Sequence, residues 1–232
     1  MIRRLSTLLF ALAVLASAGA TSWGDSGDKK VKAEYAVRWN IAEGGPQTAA
    51  EVVKVLGQQA GDTDDFTVVY FNVKTPSGAP PGFSSILRQR TKKKEVTLMF
   101  KYRGQHRLTK WECPLPNPTK TKEEVDESFV PGGVQRVYSY SCTIEADKPI
   151  VPPAALEASK PCTSKMIRTE AGDLEIESWE LPKGVKVIEV SRTGEPAKKD
   201  REAFRRQVVR KLKHAGIKPL DRGMTELAKS CP

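Results

Sequence analysis

The chain has 232 residues and a formal net charge of +10 at pH 7. That length suits one domain with a substantial core and argues against two, and the basic excess favours polyanionic partners or acidic surfaces without fixing a fold. The sequence contains no Walker-type phosphate loop, no GxGxxG after a strand, no GxSxG and no HExxH, which excludes the commonest nucleotide-loop, nucleophile-elbow and zinc-protease chemistries.

Residues 1–20 read as a signal peptide. Met1 to Arg4 is a short basic start, Leu5 to Leu15 is apolar, and Ala16-Ser17-Ala18 or Ala18-Gly19-Ala20 fits a small-residue cleavage site. The apolar run is too short to span a bilayer comfortably. The expectation is a secreted or periplasmic protein with one domain over residues 21–232 and no transmembrane segment in the mature chain.

Residues 21–32 are polar. Tyr35, Val37, Trp39 and Ile41 then alternate with Glu34, Ala36, Arg38 and Asn40, the period of a strand with one apolar face. Thr48 to Gln59 has apolar residues at helical spacing, with Gly61 as its stop. Phe66 to Val73 reads as a strand from its β-branched and aromatic content, and Pro76 to Gly82 as a loop. Two strands follow. Arg88 and Arg90 share a face of the first, and Val96, Leu98, Phe100 and Tyr102 alternate with Lys101 and other polar residues in the second. From Cys113 to Gly133 the chain carries four prolines and reads as irregular, too polar for a core.

Arg136 to Glu145 predicts a long strand, and Ala154 to Ser159 a helical turn. Ser164 to Thr169 and Leu174 to Leu181 flank the hairpin signal Ala171-Gly172, and Val185 to Arg192 makes a last strand. Ala197 to Ala215 is a helix whose apolar stripe is Phe204, Val208, Val209 and Leu212. Its other faces are crowded with arginine and lysine from Arg201 to Lys213. This basic face is either solvated or a docking surface for a polyanion. Thr225 to Lys229 adds a final turn. About eight strands with short connections predict an α+β protein: a mainly antiparallel, eight-stranded, tunnel-like barrel with flanking helices and a basic C-terminal helix.

All four cysteines, Cys113, Cys142, Cys162 and Cys231, follow the leader, and an even number in an exported chain suggests two disulfides. Three pairings are possible; Cys113 with Cys142 and Cys162 with Cys231 is preferred. Their spacings do not suit zinc. His106 and His214 are isolated surface residues, and Tyr138, Tyr140 and Trp179 read as wall or core rather than a base-stacking platform.

The polar strand faces carry Glu34 and Arg38, Arg88 and Arg90, Lys101, Arg168, Glu175 and Glu177, and Glu189. If these faces point inward, the lumen holds cations suited to phosphate oxygens and carboxylates suited to a hard divalent ion. The structural alternative is a self-satisfied ion network with no ligand, or Glu175 and Glu177 facing solvent.

In this order the residues resemble the CYTH, or triphosphate tunnel, superfamily over Glu34 to about Lys229. Glu34-Tyr35-Ala36-Val37-Arg38 is similar to its ExExK signature, Tyr70 to Val73 to its YFDT-like strand, Leu87 to Arg90 to LRxR, and Thr97 to Lys101 to its TLK-like strand. Arg168, Glu177 and Glu189-Val190-Ser191 resemble its late basic and acidic positions. The resemblance implies phosphate binding by Arg38, Arg88, Arg90, Lys101 and Arg168, with Mg2+ or Mn2+ held by Glu34, Glu177 and Glu189.

Three positions depart from the pattern: Ala36 for the second glutamate, Arg38 for lysine and Ser191 for the last glutamate. A methyl group cannot replace an oxygen ligand, so anion capture is better preserved than metal-assisted hydrolysis, and no catalytic residue is assigned. The resulting expectation is an exported protein that binds a triphosphate or polyphosphate and not a specific nucleic acid, with metal-dependent hydrolysis left open. The alternative is a noncatalytic envelope binding or scaffold protein that uses the barrel surface and the basic C-terminal helix.

Overall fold

Nine strands close into one barrel in the order β1-β5-β6-β4-β3-β2-β7-β8-β9, in a computed structural model that describes residues 31–229 and Cys231. The expected signal peptide lies outside the described residues. The strands are β1 (Lys32–Asn40), β2 (Thr63–Asn72), β3 (Ser84–Lys92), β4 (Glu95–Gly104), β5 (Lys120–Val130), β6 (Gly133–Ala146), β7 (Ser159–Ala171), β8 (Leu174–Glu180) and β9 (Lys186–Gly194). The helices are α1 (Ala49–Leu56), α2 (Lys198–Phe204), α3 (Arg210–His214) and α4 (Met224–Ala228). Among the described residues no helix is long and apolar enough to cross a membrane.

Two corrections to the eight-stranded antiparallel expectation share one cause. The stretch read as irregular contains β5, and β5 pairs in parallel with β1 and antiparallel with β6, so the barrel is mixed. β5 lacks the apolar alternation that marks its neighbours because acids occupy both of its faces. Glu124 and Asp126 turn into the lumen, while buried Glu127 turns outward to a guanidinium, Arg201, of α2. Each buried carboxylate is answered by a cation from another element, which is the condition for burying it.

The barrel is polar inside and apolar outside. On one flank, Tyr35, Val37 and Trp39 of β1 and Ile188 and Val190 of β9 pack beneath α1, α2 and α3. A π turn at Arg205–Val209 joins α2 to α3, and Phe204, Val208, Val209 and Leu212 are all buried there. Thr48 caps α1 by accepting from the Glu51 amide, and Gly57 ends it in the left-handed region at φ 68°. The helix therefore stops ahead of the expected Gln59.

On the opposite flank Leu98, Phe100 and Tyr102 of β4 and Tyr140 of β6 are covered by Leu115 and Leu156 from the loops. The Cys113–Cys142 disulfide pins the first of these loops to β6. The second disulfide, Cys162–Cys231, ties the chain end to β7. Both pairings are the preferred ones.

One end of the barrel is plugged. Val68, Tyr70, Ile86, Met166, Trp179 and Val187 form an apolar floor on which Met224, Leu227 and Ala228 of α4 sit. The closed, charge-lined barrel fits the fold implied by the resemblance to the CYTH superfamily. Replacing Cys113 and Cys142 together by Ser should lower unfolding free energy by about 3.5 kcal/mol, on the chain-entropy scale for a loop of this length. Urea denaturation, with the Cys162–Cys231 bond kept oxidised, measures it.

Candidate functional site

The lumen is a cavity of about 510 Å3 that opens at the end remote from α4. Its position follows from strand alternation: residues two apart point the same way, so Glu34 and Arg38, Arg88 and Arg90, Lys101 and Arg103, and Glu175 and Glu177 enter it together. All five expected phosphate-binding residues, Arg38, Arg88, Arg90, Lys101 and Arg168, line this one cavity, as do Glu34, Glu177 and Glu189. Eight cations face seven carboxylates along its wall, so carboxylates are nearly as numerous as cations. Their distribution is uneven.

One wall, built by β3, β7 and β8, is cationic. Arg168 donates to Glu177 Oε1 through Nη2 at 2.6 Å and Nε at 3.1 Å, and lies 3.2 Å from the half-exposed Glu175. Arg90 reaches the same Glu177 oxygen at 3.6 Å, and the Trp179 indole donates to the other oxygen at 3.0 Å. Arg88 is answered by no carboxylate within 4 Å among the described residues; its Nη2 meets the Met99 sulfur at 3.6 Å and its guanidinium lies over the Tyr70 ring. The Nε atoms of Arg88 and Arg90 are buried without a hydrogen-bond partner. Burial, reinforced by Arg88 and Arg168, pushes the Arg90 guanidinium down to about 10, where it is still charged at neutral pH. Burial works to raise Glu177, but Arg90 and Arg168 outweigh it and hold its carboxyl below the usual range.

The facing wall, built by β1, β5 and β4, is acidic with its own cations. Glu34 and Asp126 are register partners across the parallel pair. With Glu124 they bring one carboxylate oxygen each within 4.8 Å of one another. Arg103 grips Asp126 through Nε at 3.1 Å and Nη2 at 2.6 Å, and Lys101 lies 3.6 Å from Asp126 and 3.9 Å from Glu124. Lys122 pairs with Glu124 at the mouth. Burial raises Asp126, yet Lys101 and Arg103 overcome it and hold the carboxyl at about 2.

Glu34 has no ion pair among the described residues. It is half-buried by surface area because it faces the open lumen, but its carboxyl lies deep among protein atoms. Burial, with Asp126 close by, pushes it up to about 7.

The expected metal trio is thus divided. Glu177 serves the arginine wall, and Glu189 forms a buried ion pair with its register partner Arg38. Only Glu34 stands in a carboxylate cluster, with Glu124 and Asp126. Those two were missed because β5 was read as a loop; the signal available was the spacing Glu124-x-Asp126 beside a hydrophobic Val125. Ala36 and Ser191, the departures from the family pattern, are also register partners, so the two missing acids vacate one place on the wall. On the outer surface, Arg201 of the basic helix is engaged by Glu127 and Lys211 by the Leu56 carbonyl, leaving Arg206, Arg210 and Lys213 exposed.

No protein-family profile and no curated protein matches the chain. Solved structures with similar folds include an adenylate cyclase candidate from Vibrio parahaemolyticus, with TM-score 0.48 and 9% identity over 87% of this chain and 99% of that one. Another is the adenylyl cyclase candidate HpAC1 from Hippeastrum, described as having a dominant triphosphatase activity, with TM-score 0.46 and 14% identity over 85% and 94%. A third is PH1012 from Pyrococcus horikoshii, with TM-score 0.45 and 11% identity over 84% and 98%. At these scores and identities, what the lumen does has to be read from its own atoms.

Because Glu34 titrates well above an unfolded glutamate, whose value is 4.5, its folded form favours the proton. The stability this contributes is complete below about 4.5 and is lost as pH rises through about 7. Carbon-13 titration of the Glu34 carboxyl should show a midpoint near 7, and Glu34→Gln should flatten the loss of stability over that window.

Proposed function

We propose that the lumen binds a triphosphate or a longer polyphosphate, its oxygens lying along Arg88, Arg90 and Arg168 with Lys101 facing them. One observation carries this reading: Arg90 and Arg168 share a single buried carboxylate, Glu177, Arg88 beside them meets no carboxylate within 4 Å among the described residues, and Arg88 and Arg90 keep buried Nε donors unbonded. Buried donors without acceptors are costly. A phosphate chain supplies several anionic acceptors in the fork geometry that guanidinium matches. A structural ion network would have paired these donors internally.

The carboxylates Glu34, Glu124 and Asp126 fit a hard divalent ion such as Mg2+ or Mn2+. They offer only oxygen donors, brought within 4.8 Å of one another. Bound there, such an ion would neutralise phosphoryl oxygens and polarise the phosphoryl group toward water. Ion binding must ionise Glu34, so affinity rises with pH through the neutral range. Lys101 lies beside Glu124 and Asp126 and balances their charge when no dication does. Glu177 and Glu189 act as positioning residues, the first for Arg90 and Arg168 and the second for Arg38.

We further propose that the chain works outside the cytoplasm, secreted or periplasmic. The leader-like first twenty residues and the two disulfides support this.

Calorimetric titration with tripolyphosphate tests the reading. Arg88→Ala with Arg90→Ala should weaken binding by about a hundredfold or more, since each charged hydrogen bond contributes about 1.5–3 kcal/mol. Unchanged affinity in that variant would return the lumen to a self-contained ion network. Turnover of tripolyphosphate with Mg2+ or Mn2+, lost with a chelator and in Glu34→Gln, marks an enzyme; tight binding without turnover marks a binding protein.

A further inference from the structure

A second cavity of about 470 Å3 lies at the plugged end of the barrel, between the C-terminal segment and the ends of β3, β4, β5 and β6. Arg38, Ile86, Arg103 and Thr225 line both this cleft and the lumen, so the two are separated by a single layer of side chains. The segment that forms its outer wall is fixed at several points. Pro219 bridges to Trp39, the Leu220 amide donates to the Arg38 carbonyl at 2.9 Å, α4 sits on the apolar floor, and Cys231 is bonded to Cys162. Lys229, two residues before that disulfide, is thereby held against the cleft.

The inner end of the cleft is basic and has unused donors. Lys229 has no carboxylate within 4 Å among the described residues, and burial alone pushes its ammonium down. Arg103 uses Nε and Nη2 on Asp126, while its Nη1 points toward Gly223, a cleft residue, and lies 3.7 Å from where a Cβ there would stand. The acids at the rim, Asp221 and Glu226, are exposed, and Glu226 is 4.0 Å from Arg222.

We propose that this cleft is a second anion site, separate from the lumen, that takes a small tetrahedral oxyanion of the orthophosphate class. Lys229 and Arg103 Nη1 supply the charge. Cys162–Cys231 is the anchor nearest Lys229 on that wall, whereas Arg88 and Arg90 of the lumen stand on β3, so breaking the bond should disturb the cleft more than the arginine wall.

Titrating the full oxidised protein with orthophosphate, followed by amide shifts of Gly104, Gln105 and Gly223 and by the Nε–H signals of Arg88 and Arg90, reads both sites at once. The cleft amides should shift saturably. Lys229→Met should weaken that response about tenfold or more, Lys229→Arg should retain it, and Cys162→Ser with Cys231→Ser should weaken it too, while the Arg88 and Arg90 signals respond as before. Silent cleft amides, or an undiminished response in Lys229→Met, would overturn the proposal. So would loss of the cleft response in Arg88→Ala with Arg90→Ala, since the shifts would then be secondary to lumen binding. Cleft shifts with Arg88 and Arg90 signals unmoved by orthophosphate and by tripolyphosphate alike would sink the lumen reading and leave this one standing.

Discussion

The structure depends on compensation of charge inside a ring of strands. Turning Glu177, Glu189, Asp126 and Glu124 inward is tolerable only because Arg168, Arg38, Arg103 and Lys101 arrive from other strands at ion-pairing distance. Apolar packing, which usually fills a small barrel, is displaced to the outer surface, where helices cover one flank and two loops, one of them disulfide-pinned, cover the other. The helices and loops are therefore the other half of the same arrangement: without them the outward apolar faces of β1, β4 and β9 would meet water.

Within the lumen the compensation is incomplete in a directional way. The arginine wall has more donors than acceptors, and on the facing wall burial, with Asp126 beside it, makes Glu34 hold its proton into the neutral range. Opposite imbalances across one cavity are what the proposed ligand, a polyanion accompanied by a dication, would offset. The floor of Tyr70, Ile86 and Trp179 limits how deep such a ligand can sit.

Much of this was legible in the sequence wherever one face of a strand was apolar. The alternation in β1 and β4 announced both the strands and the inward direction of Glu34, Arg38 and Lys101, and the LRxR spacing put Arg88 and Arg90 side by side. β5 was not legible, because its outward-facing Glu127 is satisfied by Arg201 from 74 residues away and no local pattern encodes that bond. Losing β5 also hid the carboxylate cluster, since Glu124 and Asp126 meet Glu34 only through the parallel register of β1 with β5. Likewise the division of Glu34, Glu177 and Glu189 among different partners is a property of register, which periodicity cannot supply.

The pairing of β1 with the last strand constrains how the chain can be made. β1 lies between β5 and β9, and its antiparallel partner begins at Lys186, near the far end of the sequence. A nascent chain missing its last fifth therefore leaves one edge of β1 unpaired and the cylinder open, however well its local hairpins have formed. Such dependence on distant pairing slows closure. Only after synthesis nears its end can the circle seal, and the final cysteine can then be fastened to β7.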